Sequence, residues 1–201
     1  MQTQKLSFLV QAAMIAAIYV ALTLIFQAVS FGEIQVRVSE ALTILPLFTP
    51  AAVPGLFVGC LIGNILGGAM LPDILFGSLA TLIGAVGTYR LRRRKPILGP
   101  LPPILANIIV VPPVLKYAYG TPLPIPLMML TVGIGEALSC GMLGLILYFA
   151  LKKYARVIFK SPKKVSLKLD PKGAFFIKMA LTKARETGKM ISVLRRGIAK
   201  R

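Results

Sequence analysis

Long stretches without a charged residue constrain this chain more than any other feature. Residues 6–32 and residues 41–72 contain no charged side chain. A helix of roughly 20 apolar residues crosses the hydrocarbon core of a bilayer, which is about 30 Å thick. With 56% hydrophobic residues and a mean hydropathy of +0.79, the chain carries more apolar surface than a soluble core of 201 residues could bury. The sequence therefore predicts an all-α integral membrane protein. Its first apolar run, which lacks a small-residue cleavage site, is predicted to be a retained helix and not a signal peptide.

Six transmembrane helices account for the apolar stretches. Residues 41–72 are too long for one straight helix and contain Pro46, Pro50 and Pro54, so we divide them into a short second span and a third span near residues 55–70. A re-entrant or interfacial segment is the alternative for one of these runs. The other predicted spans cover residues 6–29, 73–89, 101–117 and 127–151.

Basic residues indicate the orientation and the domains. The positive-inside rule predicts that three basic groups are cytoplasmic: Lys5, the cluster at residues 90–95, and Lys152 with Lys153. Only an even number of membrane crossings can then separate any two of these groups. This predicts a multi-pass plasma-membrane protein with both termini in the cytoplasm. Residues 1–152 form the transmembrane domain, and residues 153–201 form a basic cytoplasmic tail. The tail is predicted to be an interfacial amphipathic helix, with a floppy extension as the alternative. Nucleic acid is an unlikely partner because the tail has few aromatic residues.

Small residues recur at helical spacing in two of the predicted spans. The third span carries glycines every fourth residue from Gly55 to Gly67, a pattern typical of close helix packing within one chain. The first span carries two overlapping alanine rows, Ala12 with Ala16 and Ala13 with Ala17. These rows could face either another helix of the chain or another subunit.

The sequence excludes several kinds of chemistry. It contains no histidine, and both cysteines lie in apolar runs, so a His or Cys metal site is not expected. No phosphate-binding GxxxxGK[ST] motif is present, so the chain should not hydrolyse ATP by itself. Without a Ser–His or Cys–His pair, an enzyme is not expected either, and we predict no cofactor in this chain.

The acidic residues before the tail are the candidate functional groups. Glu33, Glu40, Asp73 and Glu136 all fall in the outer half of the predicted membrane domain. Glu136 lies nine residues into the sixth span, where an unpaired carboxylate is costly and ionisable groups usually line a cavity. It is the strongest candidate, and a packing role beside Arg37 is its alternative.

Residues 31–40 alternate polar and apolar side chains, which is typical of an extended segment with one apolar face that could cover a pocket. This segment adds Gln35 and Arg37 to the candidate substrate-binding residues. Helix N-termini offer another explanation for Glu40 and Asp73. The buried amide Asn64 is a further candidate and, like Asn107, could instead bridge helices.

Four stretches resemble the QueT family of queuosine-precursor transporters. They are FGEIQVRVSEALT at residues 31–43, TPAAVPGLF at 49–57, DILFGSLAT at 73–81 and GIGEA at 133–137. The resemblance covers about residues 6–152 and not the tail. It implies a six-helix bundle of the kind found in the substrate-binding (S) components of energy-coupling factor (ECF) importers. A membrane-embedded coupling (T) subunit and two cytoplasmic ATPases, which hydrolyse the ATP, are then the expected partners.

The resemblance also suggests roles for the candidate residues. The implied ligand is a 7-deazaguanine such as 7-aminomethyl-7-deazaguanine, or queuine. We expect Glu136 and Glu40 to accept its N–H donors or its aminomethyl cation, and Gln35 and Arg37 to contact its ring carbonyl. The family also implies that the alanine rows of the first helix contact the coupling subunit.

Two other functions remain open at this point. The chain could be an autonomous secondary transporter or channel for another small cationic solute, with Glu136 as its coupling or selectivity group. It could also be a membrane adaptor that acts through its basic tail.

Overall fold

The structure is a computed structural model that describes residues 2–27 and 37–159. Helices form all of the regular structure in these residues, and they are named here in chain order: α1 (Gln2–Ile25), a 3₁₀ helix (Val38–Leu47), α2 (Ala52–Leu66), α3 (Leu71–Leu91), a short 3₁₀ turn (Pro96–Leu98), α4 (Leu101–Tyr117), α5 (Ile125–Glu136), a π-helix (Ala137–Leu143), α6 (Gly144–Lys152) and α7 (Ala155–Ile158). The predicted all-α class is confirmed for this part of the chain. The predicted tail lies almost wholly outside the described residues.

Four helical stretches in the described residues are long and apolar enough to cross a membrane, and they cover Lys5–Ile25, Leu71–Leu91, Pro96–Tyr117 and Ile125–Lys152. These helices make the chain a multi-pass membrane protein. The 3₁₀ helix and α2 are shorter. At about 2.0 Å per residue the ten residues of the 3₁₀ helix rise roughly 20 Å, and the 15 residues of α2 rise roughly 22 Å at 1.5 Å each. Neither length reaches the roughly 30 Å of the hydrocarbon core.

The 3₁₀ helix runs through the middle of the bundle. Its residues from Ser39 to Pro46 are all buried, and its packing neighbours are α1, α2, α3, the π-helix and α6. The extended segment predicted for residues 31–40 is therefore wrong for Val38, Ser39 and Glu40, which are already helical, while residues 31–36 lie outside the described residues. Backbone at membrane depth must satisfy its own hydrogen bonds, which favours a helical turn over an unpaired extended strand.

The glycine row of α2 packs against α1. A Cβ atom added to Gly55 would lie 2.7 Å from the Ala12 carbonyl oxygen, and one added to Gly59 would lie 2.8 Å from the Tyr19 Cβ. Such short distances mean that the two backbones can approach this closely only because α2 lacks side chains there. The prediction that this row packs within the chain is confirmed for Gly55, Gly59 and Gly63.

Polarity is distributed as a membrane protein requires. Large apolar side chains such as Leu71, Ile83, Ile109, Leu130 and Phe149 are more than half exposed and cover the outside of the bundle. The interior instead holds a set of buried polar and charged side chains, which include Arg37, Glu40, Asp73, Asn107 and Glu136. Buried ionisable groups in a membrane domain are rare and usually functional, so this interior is where a site should be sought.

Candidate functional site

Glu40 is held by three elements at the centre of the bundle. It lies in the first turn of the 3₁₀ helix and is 0% exposed. The Tyr19 hydroxyl from α1 donates to Glu40 Oε1 at 2.5 Å, and the Thr81 hydroxyl from α3 donates to the same oxygen at 3.2 Å. The other oxygen, Oε2, accepts no hydrogen bond from the described residues. Glu40 therefore has a tertiary role beyond its position at a helix N-terminus, and one of its oxygens remains available to a donor.

Glu136 lies where α5 passes into the π-helix. Asn107 Nδ2 of α4 donates to Glu136 Oε1 at 2.8 Å, and the Cys140 thiol, one turn further along, lies 3.0 Å from Oε2. Glu136 is only 4% exposed. A π-helical turn widens the helix locally and is frequent at functional sites, and here it places Cys140 beside the carboxylate.

Cys140 contacts both Glu40 and Glu136. Its Sγ lies 3.5 Å from the Glu40 carbonyl oxygen and receives a hydrogen bond from the Thr43 hydroxyl at 3.3 Å. Three atoms lie within 4.8 Å of one another: a carboxylate oxygen of Glu40, a carboxylate oxygen of Glu136 and the Cys140 Sγ. A single small cationic group could contact all three atoms. We interpret the cluster as a polar site for such a group.

A second ionic cluster joins Arg37 to Asp73. Arg37 Nη2 lies 3.3 Å from Asp73 Oδ2, and both side chains are buried. The Tyr119 hydroxyl, from the loop after α4, donates to the same Asp73 oxygen at 3.2 Å and accepts from the Met70 amide at 3.1 Å. Burial raises the pKa of Tyr119, so its hydroxyl stays protonated and can donate at neutral pH. This cluster connects the start of the 3₁₀ helix, the start of α3 and the loop after α4.

Gly77 marks the point where polar groups from three elements converge. A Cβ atom added there would lie 3.0 Å from Asp73 Oδ1, 3.4 Å from Asn64 Nδ2 and 3.8 Å from Arg37 Nη1. Asp73 Oδ1 accepts no hydrogen bond from the described residues, while Asn64 Nδ2 contacts the Cys60 Sγ at 3.6 Å in its own helix. The absence of a side chain at Gly77 lets these groups lie close together.

The structure brings together most of the candidate residues predicted from the sequence. Glu40 and Glu136 form one cluster, and Arg37, Asp73 and Asn64 gather near Gly77. The candidates Glu33 and Gln35 lie outside the described residues.

The two alanine rows of α1 face different ways. Ala12 and Ala16 pack against the glycines of α2, whereas Ala13 and Ala17 are exposed. Only the second row is therefore open to another subunit.

Several residues of the site were not predicted from the sequence. Tyr19 follows Ala12 and Ala16 at helical spacing, so the small-residue row did mark its face of α1. Thr81 and Cys140 look like ordinary members of apolar spans. No local pattern placed Tyr119 beside Asp73, because that contact depends on how the loop after α4 folds back.

Comparisons with known proteins identify the family of this chain. A family model described as the QueT transporter matches residues 9–153. The queuosine precursor transporter QueT of Lactococcus lactis subsp. cremoris (strain MG1363) is 36% identical over 85 residues, which are 41% of this chain and 50% of that relative. The match thus spans half of the relative's length. No solved structure matches the chain. The matching family is one of transporters and not of enzymes. Because its model covers every helix from α2 to α6 and most of α1, this chain belongs to the QueT transporter family.

Proposed function

We propose that this chain captures a queuosine precursor at the outer face of the membrane, as the substrate-binding subunit of an ECF-type importer. The buried Glu40–Glu136 pair is the observation that carries this proposal. Carboxylates are acceptors only, so they suit a ligand rich in N–H donors. A 7-deazaguanine presents several N–H groups along its guanine edge, and 7-aminomethyl-7-deazaguanine and queuine add an amine cation. Charge-assisted hydrogen bonds to such groups are among the strong ones.

The unpaired acceptors favour this ligand class. Glu40 Oε2 and Asp73 Oδ1 are both buried without a donor among the described residues. A buried acceptor without a partner costs about 1–3 kcal/mol, which a ligand N–H would recover on binding. The Arg37 guanidinium near Gly77 offers the opposite polarity and suits the ring carbonyl. The unpaired oxygens of Glu40 and Asp73 thus suit the N–H donors of a guanine-like ring, and the Arg37 guanidinium suits its carbonyl group.

The position of the site along α3 supports an outward-facing pocket. Asp73 lies in the first turn of α3, and Arg90 lies in its last turn, next to the basic cluster. Seventeen residues of helix separate them, which at 1.5 Å each is about 25 Å. If the basic cluster is cytoplasmic by the positive-inside rule, the Arg37–Asp73 cluster faces the other side of the membrane.

Energy would come from partner subunits. The sequence has no phosphate-binding loop, so uptake driven by ATP needs the coupling subunit and two cytoplasmic ATPases. The exposed row Ala13 and Ala17 on α1 is the surface that we propose for the coupling subunit, because small residues let another helix approach closely. In this proposal the 3₁₀ helix and α2 count as the second and third members of a six-helix bundle.

Binding and uptake together test the proposal. We expect the purified chain in detergent to bind 7-aminomethyl-7-deazaguanine by calorimetry, and proteoliposomes that contain only this chain to show no uptake above protein-free liposomes. Uptake by the chain alone would instead favour an autonomous transporter. Absence of binding by any 7-deazaguanine would contradict the capture of this ligand class.

Accessibility labelling tests the orientation. Arg93→Cys should react only with a cytoplasmic reagent, and Leu123→Cys, in the loop after α4, only with an external one. The native Cys60 and Cys140 are buried and should give little background. Labelling of both positions from the same side would contradict an outward-facing site.

A further inference from the structure

Glu40 and Glu136 place two buried carboxylates side by side in the bundle. Glu40 and Glu136 are 0% and 4% exposed, and oxygen atoms of the two groups lie within 4.8 Å of each other. Two like charges at this distance in a buried site repel each other, and burial disfavours each charge as well. The geometry therefore disfavours a state in which both groups are ionised while nothing else occupies the site.

In the part of the chain that the structure describes, the groups around the pair carry too little positive charge to balance it. Among the described residues these ionisable and polar side chains include Tyr19 of α1, Arg37 at the start of the 3₁₀ helix, Thr43 within it, Cys60 of α2, Thr81 of α3, Asn107 of α4 and Cys140 of the π-helix. Arg37 is the cation in this set, and it forms an ion pair with Asp73. Three carboxylates against one guanidinium would leave an excess of two negative charges.

One oxygen of the pair has no hydrogen-bond donor among the described residues. Glu40 Oε1 and both oxygens of Glu136 have hydrogen-bond contacts, whereas Glu40 Oε2 is buried and accepts none from the described residues. A cationic N–H group placed at this oxygen would bind the Glu40 carboxylate, one oxygen of which lies within 4.8 Å of an oxygen of Glu136. Its charge would allow both carboxylates to be ionised.

We infer that Glu40 and Glu136 share one proton when the site is empty, and that a cationic ligand amine displaces this proton when it binds. The inference rests on the proposed function for the identity of the ligand. In the exchange, an alkylammonium group binds to a carboxylic acid–carboxylate pair, forms a complex with two carboxylates and releases one proton to solvent. No bond of the ligand changes. The site thereby selects a cationic 7-deazaguanine over a neutral one of similar shape.

Proton release gives the affinity a defined pH dependence. Because the bound state holds one proton fewer than the empty protein plus ligand, affinity for the cationic ligand should rise with pH by up to tenfold per unit. The rise should end where the pair has lost its proton in the empty protein or where the ligand amine loses its own. A neutral ligand that leaves the shared proton in place should show no such rise.

Calorimetry in buffers of different ionisation enthalpy measures the released proton. With the full chain in detergent, we expect about one proton released on binding of 7-aminomethyl-7-deazaguanine and none on binding of 7-methyl-7-deazaguanine, its neutral match. Glu136→Gln should lower the affinity for the amine at least tenfold and abolish the release. Thr88→Val is the control. The Thr88 hydroxyl donates to the Gly99 carbonyl near the basic cluster, away from the pair, so this variant should leave the proton release unchanged. A binding enthalpy that does not depend on the buffer overturns the inference.

Infrared spectroscopy of the empty protein tests the shared proton independently of any ligand. At neutral pH the wild-type chain should show the carbonyl band of a protonated carboxyl group, and this band should shift in D₂O. The double variant Glu40→Gln, Glu136→Gln should lack it. If the band is present but no deazaguanine binds, the shared proton stands and the proposed ligand is wrong. If the wild-type protein has no such band, the inference fails whether or not a ligand binds.

Discussion

Replacing Gly59 with alanine should force α1 away from α2 and disturb the site through Tyr19. The new Cβ atom would lie 2.8 Å from the Tyr19 Cβ and 3.1 Å from the Ala16 Cα. Neither atom can rotate away from its backbone, so the helices themselves must separate. Overpacking of this kind costs about 1–3 kcal/mol, whereas alanine gains up to about 1 kcal/mol over glycine in a helix. We expect a net loss of about 1 kcal/mol in the free energy of unfolding.

The glycine row offers a graded series and a control for this experiment. At Gly63 the nearest atom to an added Cβ is the Thr23 Cβ at 3.3 Å, so Gly63→Ala should cost less than Gly59→Ala. At Gly141 no heavy atom lies within 4 Å, so Gly141→Ala should cause no loss. Denaturant titration in detergent micelles, followed by circular dichroism, gives the three free energies. If Gly59→Ala is as stable as the wild type, or if Gly141→Ala loses as much, the packing argument is refuted.

Three further substitutions test the second cluster and the loop beside it. Gly77→Ala places a Cβ atom 3.0 Å from Asp73 Oδ1. It should weaken the binding of a 7-deazaguanine, measured by calorimetry, about tenfold, which is equivalent to about 1.4 kcal/mol. An unchanged affinity would show that Gly77 is not part of the binding site. Tyr119→Phe removes the hydroxyl that donates to Asp73 and accepts from the Met70 amide. It should lower the free energy of unfolding by about 2 kcal/mol, since each net hydrogen bond contributes about 1 kcal/mol. Lys116→Met removes an ammonium group that contacts the carbonyls of residues 121, 122 and 123. Hydrogen exchange of residues 118–124 should therefore become faster. Exchange at the wild-type rate would show that the lysine does not hold the loop.

Much of the helical framework follows from the sequence alone. The predicted span at residues 101–117 coincides with α4, and those at 73–89 and 127–151 differ from the observed helices by at most two residues at each end. These boundaries are predictable because a bilayer demands long apolar helices and because prolines and charges mark their ends.

A short second span was predicted where the 3₁₀ helix lies, but its start at Val38 and its 3₁₀ form were not. Alternating polar and apolar residues lead into it at Val36 and Arg37, and Pro46 lies near its end. Both features argue against a regular α-helix. Its burial on all sides is a property of the assembled bundle. In that setting a helical backbone that satisfies its own hydrogen bonds prevails over the local pattern.

The candidate site was predictable in its charges and not in its geometry. Glu136 was a candidate because a carboxylate within a predicted span is costly, and Glu40 because it is one of the acidic residues gathered in the outer half of the domain. Their proximity depends on the packing of the 3₁₀ helix against the π-helix, which no local pattern encodes. The supporting donors Tyr19, Thr81 and Cys140 are ordinary residues for a membrane helix, and only the assembled fold distinguishes them.

The most direct measurement is equilibrium binding of 7-aminomethyl-7-deazaguanine to the purified wild-type chain and to its Glu40→Gln and Glu136→Gln variants. The proposed site predicts that the wild type binds and that each variant loses at least tenfold in affinity while its helical content remains unchanged. Affinities equal to that of the wild type in both variants would contradict a site built on this carboxylate pair.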